Sequence, residues 1–182
     1  LFATANCLLQ TFSFAQSTFQ RIYDGLGDDR LYSVLQTTNG DFVMAGFTSS
    51  FGSGQYDVYV IKTNSSGSIL WTKVYGGPSE ERGLNMQQTS DGGYIIVGST
   101  NSIGGGGFDM YAIKIYSIGT VMWTITYGLL VDEIAQSVKQ TSDGGYIIVG
   151  YTSGSSGGFG ATDILLVKTD ASGYTSSFQP KF

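Results

Sequence analysis

The chain has 182 residues and a formal net charge of −5, so it is the size of one ordinary domain and lacks the basic footprint a nucleic-acid partner needs. It contains no histidine and a single cysteine, Cys7, which excludes a Ser-His-Asp triad, a disulfide framework and a Cys/His zinc site within one chain. With 27 glycines, two prolines, 41% hydrophobic and 14% aromatic residues, the composition suits many short strands joined by turns, not a disordered chain.

Residues 1–16 are apolar and uncharged and end in Ser13-Phe14-Ala15-Gln16. They read as the remnant of a secretory signal, or else as an N-terminal assembly strand that docks through Leu8, Leu9, Phe12 and Phe14. Residues 17–182 form the repeat domain. Its first segment, Phe19-Gln20-Arg21-Ile22-Tyr23, has the form of a fourth strand with no preceding three, because it aligns with Trp71 to Tyr75 further on.

The rest is organised by Gln88-Thr89-Ser90-Asp91-Gly92-Gly93-Tyr94-Ile95-Ile96-Val97-Gly98, which recurs from Gln140 to Gly150 and, more loosely, from Gln36 to Gly46. The offset is 52 residues each time (36 to 88 to 140), a period that signals a repeat architecture. The repeats span about 26–77, 78–129 and 130–182, with 18–25 left over.

Within each repeat a first strand (31–36, 84–88, 136–140) ends at Asn39-Gly40, Asp91-Gly92 or Asp143-Gly144, pairs that tolerate positive φ and predict hairpins. The second strand, such as Tyr94 to Val97, is apolar on both faces, as in a strand covered on both sides, and is expected to stop at Gly46, Gly98 or Gly150. A Gly/Ser-rich loop leads to a third strand opening at Asp57, Asp109 or Asp163. A turn with Gly67, Gly119 or Gly173 then leads to the fourth strand, Ile69 to Tyr75 or Val121 to Tyr127.

Four antiparallel strands of this kind make one propeller blade, so the expectation is an all-β protein of propeller-type repeats. The third repeat has no Trp-x-x-x-Tyr after Gly173, which predicts twelve strands in all, with a spare fourth strand in front and a missing one behind. Three blades leave too tight an axis to close. Two readings remain open: a piece of a longer propeller, or copies joined head to tail through Phe19, Arg21, Ile22 and Tyr23.

The motif Gln-Thr-x-Asp-Gly-Gly-Tyr-Ile-Ile-x-Gly-x-Thr, followed by Asp-x-Tyr-x-Ile-Lys-Thr and Trp-x-x-x-Tyr-Gly-Gly, resembles the propeller-type repeats of secreted and surface proteins of Bacteroidetes-like bacteria. The resemblance covers about residues 18–173 and implies a secreted β-propeller, with no catalytic residues to carry over.

The residues themselves suggest several chemistries. Asp57, Asp109 and Asp163 could ring a cation, or accept hydrogen bonds from their own turns. Asp28, Asp29, Glu80, Glu81, Asp132 and Glu133 recur before each repeat; clustered oxygens suit Ca²⁺, although no calcium-loop spacing is present and Arg30 and Arg82 stand ready to pair with them. The same carboxylates could serve a glycan-active hydrolase, but near-identical repeats argue against one asymmetric site. Trp71 and Trp123 could stack on sugar rings, or pack one repeat against the next. The sequence therefore points to a non-enzymatic exported structural or interaction module at the bacterial cell surface that contacts glycans or proteins, with no required cofactor. The alternatives are a self-assembling extracellular fibre or ring and, more remotely, a hydrolase.

Overall fold

The computed structural model describes residues 18–23, 25–153 and 161–176. Among them eleven strands form three antiparallel sheets, and none of the described residues is helical. The first sheet comprises β1 (Asp29–Gln36), β2 (Phe42–Thr48), β3 (Asp57–Thr63) and β4 (Ile69–Tyr75). The second comprises β5 (Glu81–Gln88), β6 (Tyr94–Thr100), β7 (Asp109–Ile115) and β8 (Val121–Tyr127). The third has β9 (Asp132–Gln140), β10 (Tyr146–Ser153) and β11 (Thr162–Thr169). Each sheet is a meander in which chain neighbours pair.

Turn chemistry sets this connectivity. Thr89 hydroxyl bonds to Asp91, and the Gly93 N–H donates to Asp91 Oδ1 at 2.9 Å, folding the chain back on itself at Gly92, whose φ is +81°. The equivalent Thr141–Asp143 turn closes the third sheet in the same way. Side-chain acceptors two residues from the backbone donor are why Asp recurs there.

Two seams hold the sheets together. At the first, Val43, Ala45, Val58 and Val60 pack on Met86, Tyr94, Ile96 and Ile113. At the second, Ile95, Val97, Met110 and Ala112 pack on Ala135, Val138, Tyr146 and Ile148. The middle sheet thus contributes to both seams, and every residue of β6 and β7 is buried. That explains the uninterrupted apolar run Tyr94 to Val97: odd and even positions each face a neighbour. Burying one such Val or Ile side chain contributes about 1.5–3 kcal/mol, so the seams are the main source of stability.

The first strands of successive sheets also touch, β1 with β5 and β5 with β9. Ser33 Oγ accepts from the Met86 N–H at 3.1 Å, Asn85 Oδ1 accepts from the Val138 N–H at 3.2 Å, and Gln87 Oε1 accepts from the Gln140 N–H at 2.7 Å. Side chains of one first strand therefore satisfy backbone donors of the next.

Several boundaries differ from those the sequence predicts. The second strands do not stop at Gly46, Gly98 and Gly150 but run on to Thr48, Thr100 and Ser153. Each glycine lies opposite a bulge in the adjacent first strand, where the register shifts at Leu31/Ser33, at Gly83/Asn85 and at Ala135/Ser137. The bulge pushes the carbonyl of Arg30, Arg82 or Ile134 into the space where a Cβ would stand. The first strands begin earlier than expected and so take in Asp29, Glu81, Asp132 and Glu133.

The expected twelfth strand is not formed. Residues 18–23 make no strand ladder, because among the described residues no third strand lies beside them. They nevertheless lie on the first sheet as β4 lies on the second and β8 on the third. The Tyr23 hydroxyl donates to the Gly67 carbonyl at 2.7 Å, as Tyr75 does to Gly119 and Tyr127 to Gly173, each also at 2.7 Å. Residues 1–16, read as a signal or assembly strand, lie outside the described residues, as do the last six residues of the repeat domain.

Candidate functional site

The polar residues that repeat with the period converge where each seam meets the loop end of the sheets. Glu81 accepts from the Thr100 hydroxyl at 2.7 Å and from the Gly77 N–H at 2.5 Å. Glu133 repeats this with Thr152 and the Leu129 N–H, both at 3.0 Å. Asp29 repeats it once more with Thr48 and the Gly25 N–H, the latter at 2.8 Å. Each of these acids stands at the first or second position of its own first strand, bonds across to the end of the second and ties down the connection that precedes it.

Glu81 and Glu133 also each face an aspartate of the preceding sheet. A Cβ built on Gly76 would lie 2.6 Å from Glu81 Oε2 and closer still to Asp57 Oδ1. On Gly128 it would lie 2.6 Å from Glu133 Oε2 and again collide with Asp109 Oδ1. Asp57 and Glu81 are each 1% exposed, and Asp109 and Glu133 are 3% and 1% exposed. Two buried carboxylates thus share each seam, and the glycine between them leaves them room.

Burial pushes the Asp57 carboxyl above the usual carboxylate range; the Gly54 N–H opposes this, and the charge of Glu81 adds to it. Burial, followed by the charge of Glu133, does the same to Asp109. A carboxyl whose folded pKa exceeds its unfolded value stabilises the fold only while both states are protonated. Its contribution is present below the unfolded value of 3.8 and is lost as pH rises through the folded value. Asp109→Asn keeps the shape and removes the charge. It is therefore expected to melt at a higher temperature than the parent at neutral pH, with the gap closing near about pH 3, in paired thermal scans across that range. An equal gap at both pH values would rule out charge as the cause.

The remaining acids take part in local pairs. Asp28 lies 3.5 Å from Arg30, and Glu80 forms an ion pair with Arg82. The Arg82 guanidinium also stacks over Phe47 and Tyr56, at 5.2 and 5.3 Å from the ring centres. Asp132 accepts from the Phe108 N–H at 2.8 Å. Among the described residues no three acidic, His or Cys side chains converge so as to hold a metal ion. The structure gives Asp28, Asp29, Glu80, Glu81, Asp132 and Glu133 these partners and does not gather them into one calcium cluster.

Trp71 and Trp123 are half-buried and lie on the seams. Trp71 packs against the first core and Trp123 against the second, where it meets Tyr146 edge-on at 5.8 Å. Phe19 occupies the same place on the first sheet, 6.0 Å from Phe42 and also edge-on. Of the assembly candidates, Phe19 and Tyr23 touch the first sheet, while Ile22 is 82% exposed.

Two arrangements are not evident from sequence. One is the pairing of Asp57 with Glu81 and Asp109 with Glu133, whose signal is a constant separation of 24 residues. The other is the tyrosine-to-glycine bond, with separations of 44, 44 and 46 residues. Both link consecutive repeats, so a search confined to single repeats misses them. No protein-family model matches the chain, and no curated protein matches it.

Proposed function

We propose that the chain is a propeller-type array of four-stranded blades that works as a non-enzymatic, exported structural or interaction module at the bacterial cell surface. The observation that carries this reading is how the periodic polar residues are used. The acids, threonines and tyrosines that recur every 52 residues bond to the adjoining strand, sheet or connection, and the same geometry appears at both seams. A catalytic centre calls for one asymmetric constellation, whereas duplicated structural bonds suit a scaffold that presents loops.

The loops between second and third strands are the natural contact surface. They are rich in Gly and Ser, and they expose Phe51 at 44% and Ile103 at 56%, which suits glycans or protein surfaces as partners. Among the described residues no helix is long and apolar enough to cross a membrane.

The test is binding of the labelled chain to immobilised cell-surface polysaccharides and surface proteins. Retention is expected, reduced at least about fivefold when Phe51 and Ile103 are both changed to Ser, with the melting temperature unchanged. Release of reducing ends from a polysaccharide, abolished by Glu133→Gln, would instead establish the hydrolase.

A further inference from the structure

Among the described residues, the two outer sheets each leave one face uncovered, and the two faces are complementary. On the third sheet, Ile164 is 83% exposed, Leu166 62% and Val149 38%. Their counterparts one repeat back, Met110, Ala112 and Val97, are at most 1% exposed because the third sheet covers them. Two repeats back, Val58, Val60 and Ala45 are likewise at most 1% exposed, under the second sheet. The third sheet therefore presents the side of a seam that normally receives the next sheet.

The first sheet presents the opposite side. A groove there is lined by Phe19, Tyr23, Val34, Phe42, Met44 and Thr63, together with Arg21. Advancing those first six positions by 52 residues gives Trp71, Tyr75, Met86, Tyr94, Ile96 and Ile115, all of which belong to the first seam or pack against it. In that seam the other half of the lining comes from Val43, Ala45, Val58 and Val60. The groove is thus half of a seam, and the half it lacks has the chemistry of Val149, Ile164 and Leu166.

Strand edges match in the same sense. β3 pairs with β4 through Lys62 and Trp71, and β7 with β8 through Lys114 and Trp123. β11 carries no fourth strand among the described residues, while Phe19 to Tyr23 lie flat on the first sheet with no third strand beside them. Asp29 and Asp163 are likewise the unmatched halves of a third carboxylate pair.

We propose that the third sheet of one copy docks on the first sheet of a second copy. Phe19 to Tyr23 of the second copy adds to the edge of β11 as a fourth strand, placing Phe19 opposite Lys168 and Tyr23 opposite Ile164. Edge addition supplies main-chain hydrogen bonds, and the apolar seam supplies the register. The contact is heterologous, so it continues from copy to copy into a ring or a filament. It stands apart from the glycan- or protein-binding reading, which concerns the loop ends.

The test is the solution mass of the full chain by light scattering over a concentration series. Mass is expected to rise to at least about twice that of the monomer. Leu166→Glu and Val34→Glu each place a charge at an exposed position on one face only, and each alone is expected to give a monomer that still unfolds cooperatively. Mixed in equal amounts, the two variants are expected to form a 1:1 dimer that grows no further, because each retains one good face. A parent that stays monomeric, or a mixture that stays monomeric while the parent assembles, overturns the proposal. Loss of polysaccharide or surface-protein binding with assembly intact would count only against the loop reading.

Discussion

Gly98→Ala is expected to destabilise the protein by about 3 kcal/mol, a large share of the stability of a domain this size. The added methyl would sit far inside van der Waals contact with the Arg82 carbonyl oxygen, with Leu84 N also only 3.1 Å away. Both obstacles are backbone, held by the β5–β6 ladder, so neither can rotate out of the way. Relief would require flattening the bulge at Leu84, which would shift Arg82 and Glu81 out of register and disturb the first seam. Gly92→Ala is the control. Nothing lies within 4 Å of its missing Cβ, and the only penalty is a φ of +81°, so the loss is expected to be about 1 kcal/mol. Urea denaturation of both variants checks the order. Equal losses would mean that the bulge is soft and that conformational freedom alone explains the glycine.

The second large effect concerns Lys114. Its side chain is 2% exposed, and its ammonium donates to Asp91 Oδ2 at 2.8 Å and Oδ1 at 3.1 Å, with further contacts to the Ile115 carbonyl and Met122 Sδ at 3.4 and 3.5 Å. Burial pushes the Asp91 carboxyl up, but hydrogen bonds from Lys114, Thr89 and Gly93 outweigh it and hold the pKa at about 2. Asp91→Ala leaves a buried ammonium with only a carbonyl and a thioether. Breaking a fully buried pair costs about 3–5 kcal/mol; Asp91 is 48% exposed and lets water reach the site, so about 2 kcal/mol is expected. Adding Lys114→Met to that variant is expected to recover most of the loss, because the apolar side chain fills the same space without a charge to satisfy. If it recovers nothing, the turn bonds of Asp91 are the cause and not the ion pair. The pair's contribution is present above the unfolded value of 3.8 and is lost as pH falls through about 2, the opposite sign to that of Asp109. In the third sheet the equivalent Lys168–Asp143 pair is exposed, so Asp143→Ala is expected to cost only the turn bonds from Thr141 and Gly145, less than Asp91→Ala.

The first repeat reaches the same pairing by another route. Asn39 stands where Asp91 and Asp143 stand and offers no charge, yet Lys62 lies 3.6 Å from Asp41, two residues further on. The ion pair is maintained even where the motif that advertises it has drifted.

That substitution illustrates what is legible in the sequence. Features confined to one repeat are: the hairpin at Asp91-Gly92, the fourth strands Ile69–Tyr75 and Val121–Tyr127, and third strands opening at or beside Asp57, Asp109 and Asp163 all stand in the structure as the residues predict. Features made between strands or between repeats are not. Gly98 looks like a strand end because chain-breaking and close approach use the same residue, and only the bulge at Leu84 tells them apart. Glu81 looks like a loop acid because its partners are distant in sequence: Thr100 meets it only when β5 pairs with β6, and Asp57 only when the sheets stack. Phe19 to Tyr23 carry the side chains of a fourth strand, but a strand also needs a ladder partner, which side-chain pattern does not supply.

The tyrosine-to-glycine bonds have one more consequence. Each ties a fourth strand, or the segment 18–23 that stands in its place, to a turn of the following sheet, at 2.7 Å every time, and in this respect the joints along the array are interchangeable. A gene that gained or lost one 52-residue unit would rebuild the same joint on either side of the change, with no compensating substitution required. Length in such a protein is therefore an almost neutral variable during descent. Natural relatives are expected to differ in the number of units far more than in the residues that join them.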